Sequence, residues 1–266
     1  MKTFVFTADD NIRFLKELTE SGADSLFSHP YPAMYKQLHE KYGLKVQMNL
    51  FYEMPGFLLS QMTDRYKADW EASTDLLKLS FHSRLDNVEP YISSGYREVY
   101  EDCQSVHDEI LRFAGEKSLA KTTTIHYCKA TEEGIRALRD NGIKGLLGLF
   151  GTEGKPSASY SLEEEVCARI RKGEIIREGG MDFCSIDLVM NLYSKEEMLK
   201  KLEGLIHRDC LRIMIHEQYF YKDYHAFQPD FEEKIQNAFQ LLTRNGYESR
   251  FAEEMTGSSG GKPPIS

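Results

Sequence analysis

Residues 122–149 read TTTIHYCKATEEGIRALRDNGIKGLLGL and contain one strand–helix–strand unit. The two ends, residues 122–127 and 145–149, are short and rich in β-branched or apolar side chains, which is typical of strands. Residues 131–141 have helical periodicity; the Thr131 hydroxyl can cap the first turn, and Gly142 suits a left-handed residue after the last turn. A helix between two such strands indicates a parallel connection.

The same alternation extends outward along the chain in both directions. The strand candidates are residues 3–7, 45–51, 76–82, 122–127, 145–149, 183–189 and 211–216. The helix candidates are residues 11–21, 32–42, 97–114, 131–141, 162–172, 195–206 and 231–245. This pattern predicts an α/β fold, and a barrel of repeated βα units fits it better than two domains. We expect residues 1–255 to form one barrel domain and the Gly-, Ser- and Pro-rich residues 256–266 to form a flexible tail.

The composition and the apolar pattern disfavour several classes of protein. Of 266 residues, 41% are hydrophobic and 28% charged, which is ordinary for a chain with a sizeable core. The net charge of -9 disfavours a nucleic-acid partner. No apolar run approaches the roughly 20 residues of a membrane span, so no membrane partner is expected. Five cysteines without a CxxC pair, after an N-terminus unlike a signal peptide, indicate reduced thiols and a cytoplasmic location.

Polar residues recur where the predicted strands end. Asp9 and Asp10 follow the first strand, and His82, His126 and His216 end the third, fourth and seventh. The carboxyl ends of parallel strands converge on one face, so these side chains are expected to meet. Imidazole and carboxylate are the ligands that a zinc-like cation prefers, which indicates a metal site with an open position. The simpler alternative for the Asp pair is capping of the helix at 11–21.

The segment LKLSFHSRLDN, residues 77–87, extends this pattern. His82 and Asp86 are four residues apart, so a helical turn after the strand would place both on one face, where they could share a metal. The alternative for Asp86 is an ordinary turn acid.

Read in order, five segments resemble the successive motifs of polysaccharide deacetylases, the chitooligosaccharide deacetylase homology group. They are FTADD (6–10), LSFHSRLD (79–86), IHYCKATEEGIRALRDNGIKG (125–145), MDFCSID (181–187) and RIMIHEQ (212–218). The chain is similar to a divergent member of that family over about residues 3–218. The resemblance implies a distorted (β/α)7 TIM-like barrel.

The resemblance also implies a ligand set for a divalent metal, with zinc the expected ion. Asp10 and His82 match metal ligands of the family motifs. Asp86 stands where the family has a second histidine, and carboxylate is an acceptable third ligand. His126 is the substitute candidate, as a metal or substrate ligand, because the sequence IHYC replaces the family's usual arginine-containing motif there.

The catalytic roles follow from the same resemblance. Asp9 matches the general base, and His216 on the last strand matches the general acid. Asp187 is the expected equivalent of the acid that supports one of these groups, with Asp182 as the alternative.

The implied function is a metal-dependent deacetylase that hydrolyses carbon–nitrogen bonds other than peptide bonds. The substrate expected is a carbohydrate or a small acylated metabolite, and Tyr219 is one of several aromatic residues after His216 suited to stack on a sugar face. One alternative is a catalytically silent barrel that binds carbohydrate or a protein partner. A second is a metal-dependent isomerase, although such sites usually need more acidic ligands.

Overall fold

The computed structural model describes residues 2–86, 91–150 and 160–255, and the predicted tail at 256–266 lies outside them. The strands are β1 (Lys2–Asn11), β2 (Val46–Phe51), β3 (Glu53–Met54), β4 (Phe57–Leu58), β5 (Leu77–Ser83), β6 (Thr122–Thr123), β7 (Gly145–Gly148), β8 (Ile176–Glu178), β9 (Met181–Ser185), β10 (Leu188–Val189), β11 (Cys210–His216) and β12 (Tyr247–Arg250). The helices are α1 (Arg13–Ser21), α2 (Pro30–Tyr42), α3 (Lys67–Ala72), α4 (Tyr96–Phe113), α5 (Glu132–Asp140), α6 (Glu164–Arg171), α7 (Lys195–Leu205), α8 (Phe231–Arg244) and α9 (Ala252–Met255).

The strands form two larger sheets. One has the order β10-β11-β1-β2-β5, all parallel, with β12 pairing to the first half of β1. The other has the order β6-β7-β9-β8, in which β8 is antiparallel. Isolated hydrogen bonds join the two sheets: Ala120 N, just before β6, donates to Leu79 O of β5, and Asp187 N, just after β9, donates to Arg212 O of β11. The result is a distorted barrel whose strand ladder is not closed, and the predicted α/β barrel fold is confirmed.

The two faces of the strands differ in chemistry. On β11, Leu211, Ile213 and Ile215 belong to the main apolar cluster, as expected where a strand packs against helices. The alternate residues include Met214 and His216, which line a cavity inside the barrel. The period of two along the strand therefore directs His216 into the interior.

In the strand–helix–strand unit at residues 122–149, the helix forms as predicted. Thr131 Oγ1 accepts from Gly134 N at 3.0 Å, and Gly142 has a φ of 90°. The strand before it is shorter than the predicted 122–127, because β6 ends at Thr123 and the chain enters a 3-10 turn at His126–Cys128. In the described ranges, no helix is long and apolar enough to span a membrane.

Candidate active site

A backbone irregularity at the end of β1 aims two consecutive carboxylates into the barrel. On a regular strand, Asp9 and Asp10 would face opposite sides. The pairing of β1 with β2 shifts register between Ala8 and Asn11, and Asp10 has a φ of 61°. β-branched side chains are strained at such a positive φ, whereas aspartate tolerates it. Both carboxylates therefore line the same cavity.

These carboxylates do not cap the following helix. Helix α1 begins at Arg13, and Ile12 at its N-cap makes no side-chain cap hydrogen bond. Glu217, at the end of the neighbouring strand β11, supplies the cap: it accepts from Ile12 N at 2.7 Å, Arg13 N at 3.1 Å and Phe14 N at 2.7 Å. Asp9 and Asp10 therefore have no part in capping α1, and both line the cavity.

Two histidines approach Asp10 with their protonation patterns fixed by backbone carbonyls. A carbonyl oxygen can only accept, so the ring nitrogen that contacts it carries the proton. His82 Nδ1 contacts Thr124 O, and His126 Nε2 contacts Asp86 O at 3.0 Å. In the neutral rings, His82 Nε2 and His126 Nδ1 are therefore lone-pair acceptors.

These two acceptor nitrogens and one carboxylate oxygen converge. His82 Nε2 lies 3.0 Å from Asp10 Oδ1 and 3.1 Å from His126 Nδ1, and His126 Nδ1 lies 3.3 Å from Asp10 Oδ1. Acceptors facing one another without a proton repel, and a shared cation relieves the repulsion. Within the described part of the chain, this trio is the group of His, Cys, Asp and Glu ligand atoms that could hold a metal ion. The donor set fits a zinc-like divalent cation.

The electrostatics of the trio suit a cation ligand set. Burial raises the pKa of Asp10, but hydrogen bonds from the His126 and His82 rings, donated when these nitrogens carry a proton, outweigh it and hold that pKa well below its usual value. Burial lowers the pKa of His82, against the opposing effect of Asp10. Ionised carboxylate and neutral imidazole are the forms that bind metal. Gln218 holds the carboxylate in place by donating from Nε2 to Asp10 Oδ2 at 2.6 Å.

The predicted ligand Asp86 has a different position. Its side chain is exposed, and after β5 ends at Ser83 the chain forms bends at residues 84 and 86 rather than a helical turn. The contact of Asp86 with the trio is through its backbone carbonyl on His126, and its carboxylate is not among the converging ligand atoms.

Asp9 lies beside the trio in a buried polar environment. Asn49 Nδ2 donates to Asp9 Oδ1 at 2.7 Å, and Gln47 Nε2 donates to Asn49 Oδ1 at 2.8 Å. Burial and the neighbouring charge of Asp10 raise the pKa of Asp9 well above its usual value, and the hydrogen bond from Asn49 opposes this rise. Asp9 therefore has a high proton affinity for a carboxylate, which is useful for accepting a proton.

His216 pairs with Asp9 across the β1–β11 ladder. Its Nδ1 lies 2.8 Å from Asn191 Oδ1, a contact that the sequence did not predict. Asp187 contacts Arg208 Nη1 at 2.6 Å and Arg212 N at 2.8 Å instead, and Asp182 forms an ion pair with Arg177 at 2.7 Å.

The cavity around these groups has a volume of about 710 Å³. Its walls include Tyr219, Tyr221 and Tyr224. At its edge, Tyr127 is 49% exposed and Leu192 is 61% exposed. The trio of Asp10, His82 and His126 therefore opens into a space with apolar and phenolic walls.

Solved structures of family 4 carbohydrate esterases share the fold of this chain. The chain superimposes on the family 4 carbohydrate esterase from Streptomyces lividans, solved with acetate, with a TM-score of 0.53 and 12% identity over 96% of this chain and 95% of that one. It also superimposes on the Xyl-CE4 domain of a multidomain xylanase from the hindgut metagenome of Trinervitermes trinervoides (TM-score 0.50, 10% identity, 99% and 94% coverage).

A further structural neighbour has a different activity. The 4-alpha-glucanotransferase from Thermococcus litoralis gives a TM-score of 0.60 at 14% identity over 96% of this chain, which spans 40% of that protein's length. At these identities the likeness establishes the fold alone. The sequence matches no family model and no curated protein.

Proposed function

We propose that this protein is a metal-dependent hydrolase of the polysaccharide deacetylase type, which removes an acyl group, acetyl in the simplest case, from the nitrogen of a carbohydrate or small acylated metabolite. The observation that carries the proposal is the convergence of Asp10, His82 and His126 beside Asp9 and His216. A purely binding barrel has no evident need for such a set.

The proposed metal ligands are Asp10 Oδ1, His82 Nε2 and His126 Nδ1. His126 thus takes the place that the sequence had assigned to Asp86, because its ring nitrogen and not the Asp86 carboxylate faces the other two atoms. A divalent cation held there would polarise a carbonyl group and make a water molecule more acidic. Zinc is the ion that we expect, since two imidazoles and a carboxylate suit it well.

The proposed proton transfers use the two remaining groups. Asp9 accepts the proton of the attacking water, and its buried position gives it the raised proton affinity that a general base needs. Asn49 holds Asp9 Oδ1, which leaves the other carboxylate oxygen for the water. His216 delivers a proton to the leaving amine from the β11 side of the cavity.

The cavity supports a sugar-sized substrate. A volume of about 710 Å³ is within the usual range of small-molecule pockets, roughly 300–1,000 Å³. Tyr219 and Tyr224, whose ring centroids lie 5.2 Å apart, present flat apolar faces with polar hydroxyl groups, which suits the apolar face of a sugar. The acetate in the Streptomyces lividans structure is the product expected of a deacetylase.

The test is release of acetate from N-acetylglucosamine and its short oligomers, by metal-stripped protein with and without added zinc or cobalt. Asp9→Asn and His216→Ala should each lower kcat by about 10²- to 10⁴-fold, the usual contribution of a general acid or base. Glu20→Gln, an exposed change on α1, is the matched control. Full activity in both site variants would refute the assignment, whereas sugar binding without turnover under every metal condition would favour a silent barrel.

A further inference from the structure

A single side-chain oxygen, that of Asn191, contacts two nitrogen atoms of His216. Asn191 Oδ1 lies 3.2 Å from the backbone nitrogen of His216 and 2.8 Å from its ring Nδ1. A backbone N–H can only donate, so the atom of Asn191 that faces it is the carbonyl oxygen and not the amide nitrogen. The ring nitrogen that contacts the same oxygen must then donate as well. His216 therefore carries a proton on Nδ1, and in the neutral ring Nε2 holds the lone pair.

The backbone of Asn191 is held by a hydrogen bond from another segment of the chain. The residue is 4% exposed and lies in the 3-10 turn Met190–Leu192 that follows β10. Its backbone carbonyl accepts from Gln228 Nε2 at 2.8 Å, and Gln228 Oε1 accepts from Lys234 Nζ at 2.8 Å. Lys234 is 2% exposed, and its ammonium also donates to Tyr193 O at 2.8 Å. A partly buried chain of hydrogen bonds thus connects helix α8 to the backbone of Asn191.

The partner of His216 is a neutral amide, which has a chemical consequence. A carboxylate at hydrogen-bonding distance would stabilise the imidazolium form of the ring, whereas an amide oxygen provides no full negative charge. The carboxylate predicted for this role, Asp187, contacts Arg208 and does not line the cavity. The doubly protonated ring is therefore not stabilised at Nδ1 by a carboxylate.

We propose that Asn191 is the positioning residue of this site, which holds His216 as a neutral imidazole with Nδ1 protonated and Nε2 open to the cavity as an acceptor. The assignment of a catalytic task to His216 rests on the proposed function. Nε2 must then gain its proton within the reaction cycle, and the proton that Asp9 accepts from the attacking water is the one that the reaction itself provides. That proton ends on the leaving amine, so His216 returns to its starting form.

The surroundings of His216 are consistent with this state. Burial lowers its pKa, and the nearby charge of Asp10 opposes this while that of His126 adds to it. The other polar groups beside it are Asp9, its partner across the ladder, and Tyr219, whose ring centroid lies 6.2 Å from that of His216.

The proposal is tested by NMR of protein labelled with ¹⁵N and ¹³C in histidine, with the His216 signals assigned by their loss in His216→Gln. In the wild type, we expect the His216 ring to have the Nδ1–H form at neutral pH. Asn191→Asp places a carboxylate at the same position and should raise the His216 titration midpoint by about 1 to 3 pH units. Asp187→Asn is the matched control and should leave the His216 ring signals unchanged.

An Nε2–H form in the wild type overturns the proposal without any variant. An unchanged midpoint in folded Asn191→Asp, or a shift of the His216 signals in Asp187→Asn, overturns it as well. These readouts do not depend on turnover, so a failure to find a substrate would refute the proposed function and leave the positioning of His216 to be decided by the spectra. Once a substrate is found, Asn191→Asp should shift the pH profile of kcat in the same direction as the midpoint.

Discussion

Replacement of Glu217 by glutamine tests how the two segments of the site are held together. The carboxylate of Glu217, next to His216, accepts three backbone N–H groups at the start of α1 and the Tyr221 hydroxyl at 2.7 Å. It is 1% exposed, so water cannot replace these partners. A glutamine keeps one oxygen as an acceptor, but its NH₂ group must face at least one backbone N–H.

The expected cost follows from these contacts. Loss of a hydrogen bond to a charged group costs about 1.5–3 kcal/mol. Loss of a negative charge at a helix N-terminus costs about 0.3–1 kcal/mol more. Glu217→Gln should therefore lower the free energy of unfolding by about 2–4 kcal/mol.

The assay is urea unfolding at pH 8. Burial raises the pKa of Glu217 to about 7, against the hydrogen bonds that favour the carboxylate, so the group is ionised at that pH. Glu20→Gln on the same helix is the control, because its side chain is 61% exposed and should change stability by less than about 0.5 kcal/mol. A loss in Glu217→Gln no larger than in the control would refute this account of the cap.

Three further predictions concern other parts of the molecule. Burial lowers the pKa of His107 to about 4 from 6.5, so the stability that its neutral form contributes is complete above pH 6.5 and is lost as the pH falls towards 4. In urea unfolding between pH 7 and 4.5, the free energy of unfolding of His107→Phe should fall by roughly 2.5 kcal/mol less than that of the wild type. Equal losses in the two proteins would contradict this. Gln218→Ala should weaken divalent-metal affinity by about 10- to 100-fold in a chelator competition, because the Asp10 carboxylate loses the hydrogen bond that holds it in place. Unchanged affinity would exclude this positioning role of Gln218. Asp187→Asn should cost about 1–3 kcal/mol through its contact with Arg208 but leave metal affinity unchanged, and a metal defect would speak against a structural role.

The sequence predicted the barrel well because its main signals are local. Short apolar runs and amphipathic helices depend on nearby residues, so β1, β2, β5, β7 and β11 form within a few residues of their predicted bounds. The short elements β3, β4 and α3 were not predicted, since pieces this small have no periodicity to detect.

The ligand set was harder to predict because it depends on the chain path beyond the strand. The spacing of His82 and Asp86 favours one metal only if the chain turns helically, whereas the structure has bends there. His126 lies in a turn in which Tyr127 has a φ of 61° and Cys128 a φ of 54°. No periodic pattern encodes that geometry, although the side-chain chemistry of His126 did make it the alternative candidate.

The support of His216 was missed for a related reason. The predicted strand 183–189 is interrupted: β9 ends at Ser185 and β10 begins at Leu188. Asp187 falls in the interruption and contacts the start of β11, and the chain then brings Asn191 to the end of β11. An asparagine after a strand is ordinary turn chemistry, so the sequence alone does not single it out.

The measurement that tests the account most directly is calorimetric titration of zinc into metal-stripped protein, with His126→Ala and Asp86→Asn alongside. The account predicts stoichiometric binding by the wild type and by Asp86→Asn, and loss of that binding in His126→Ala. Absence of stoichiometric binding in the wild type, or loss in Asp86→Asn with retention in His126→Ala, would contradict it.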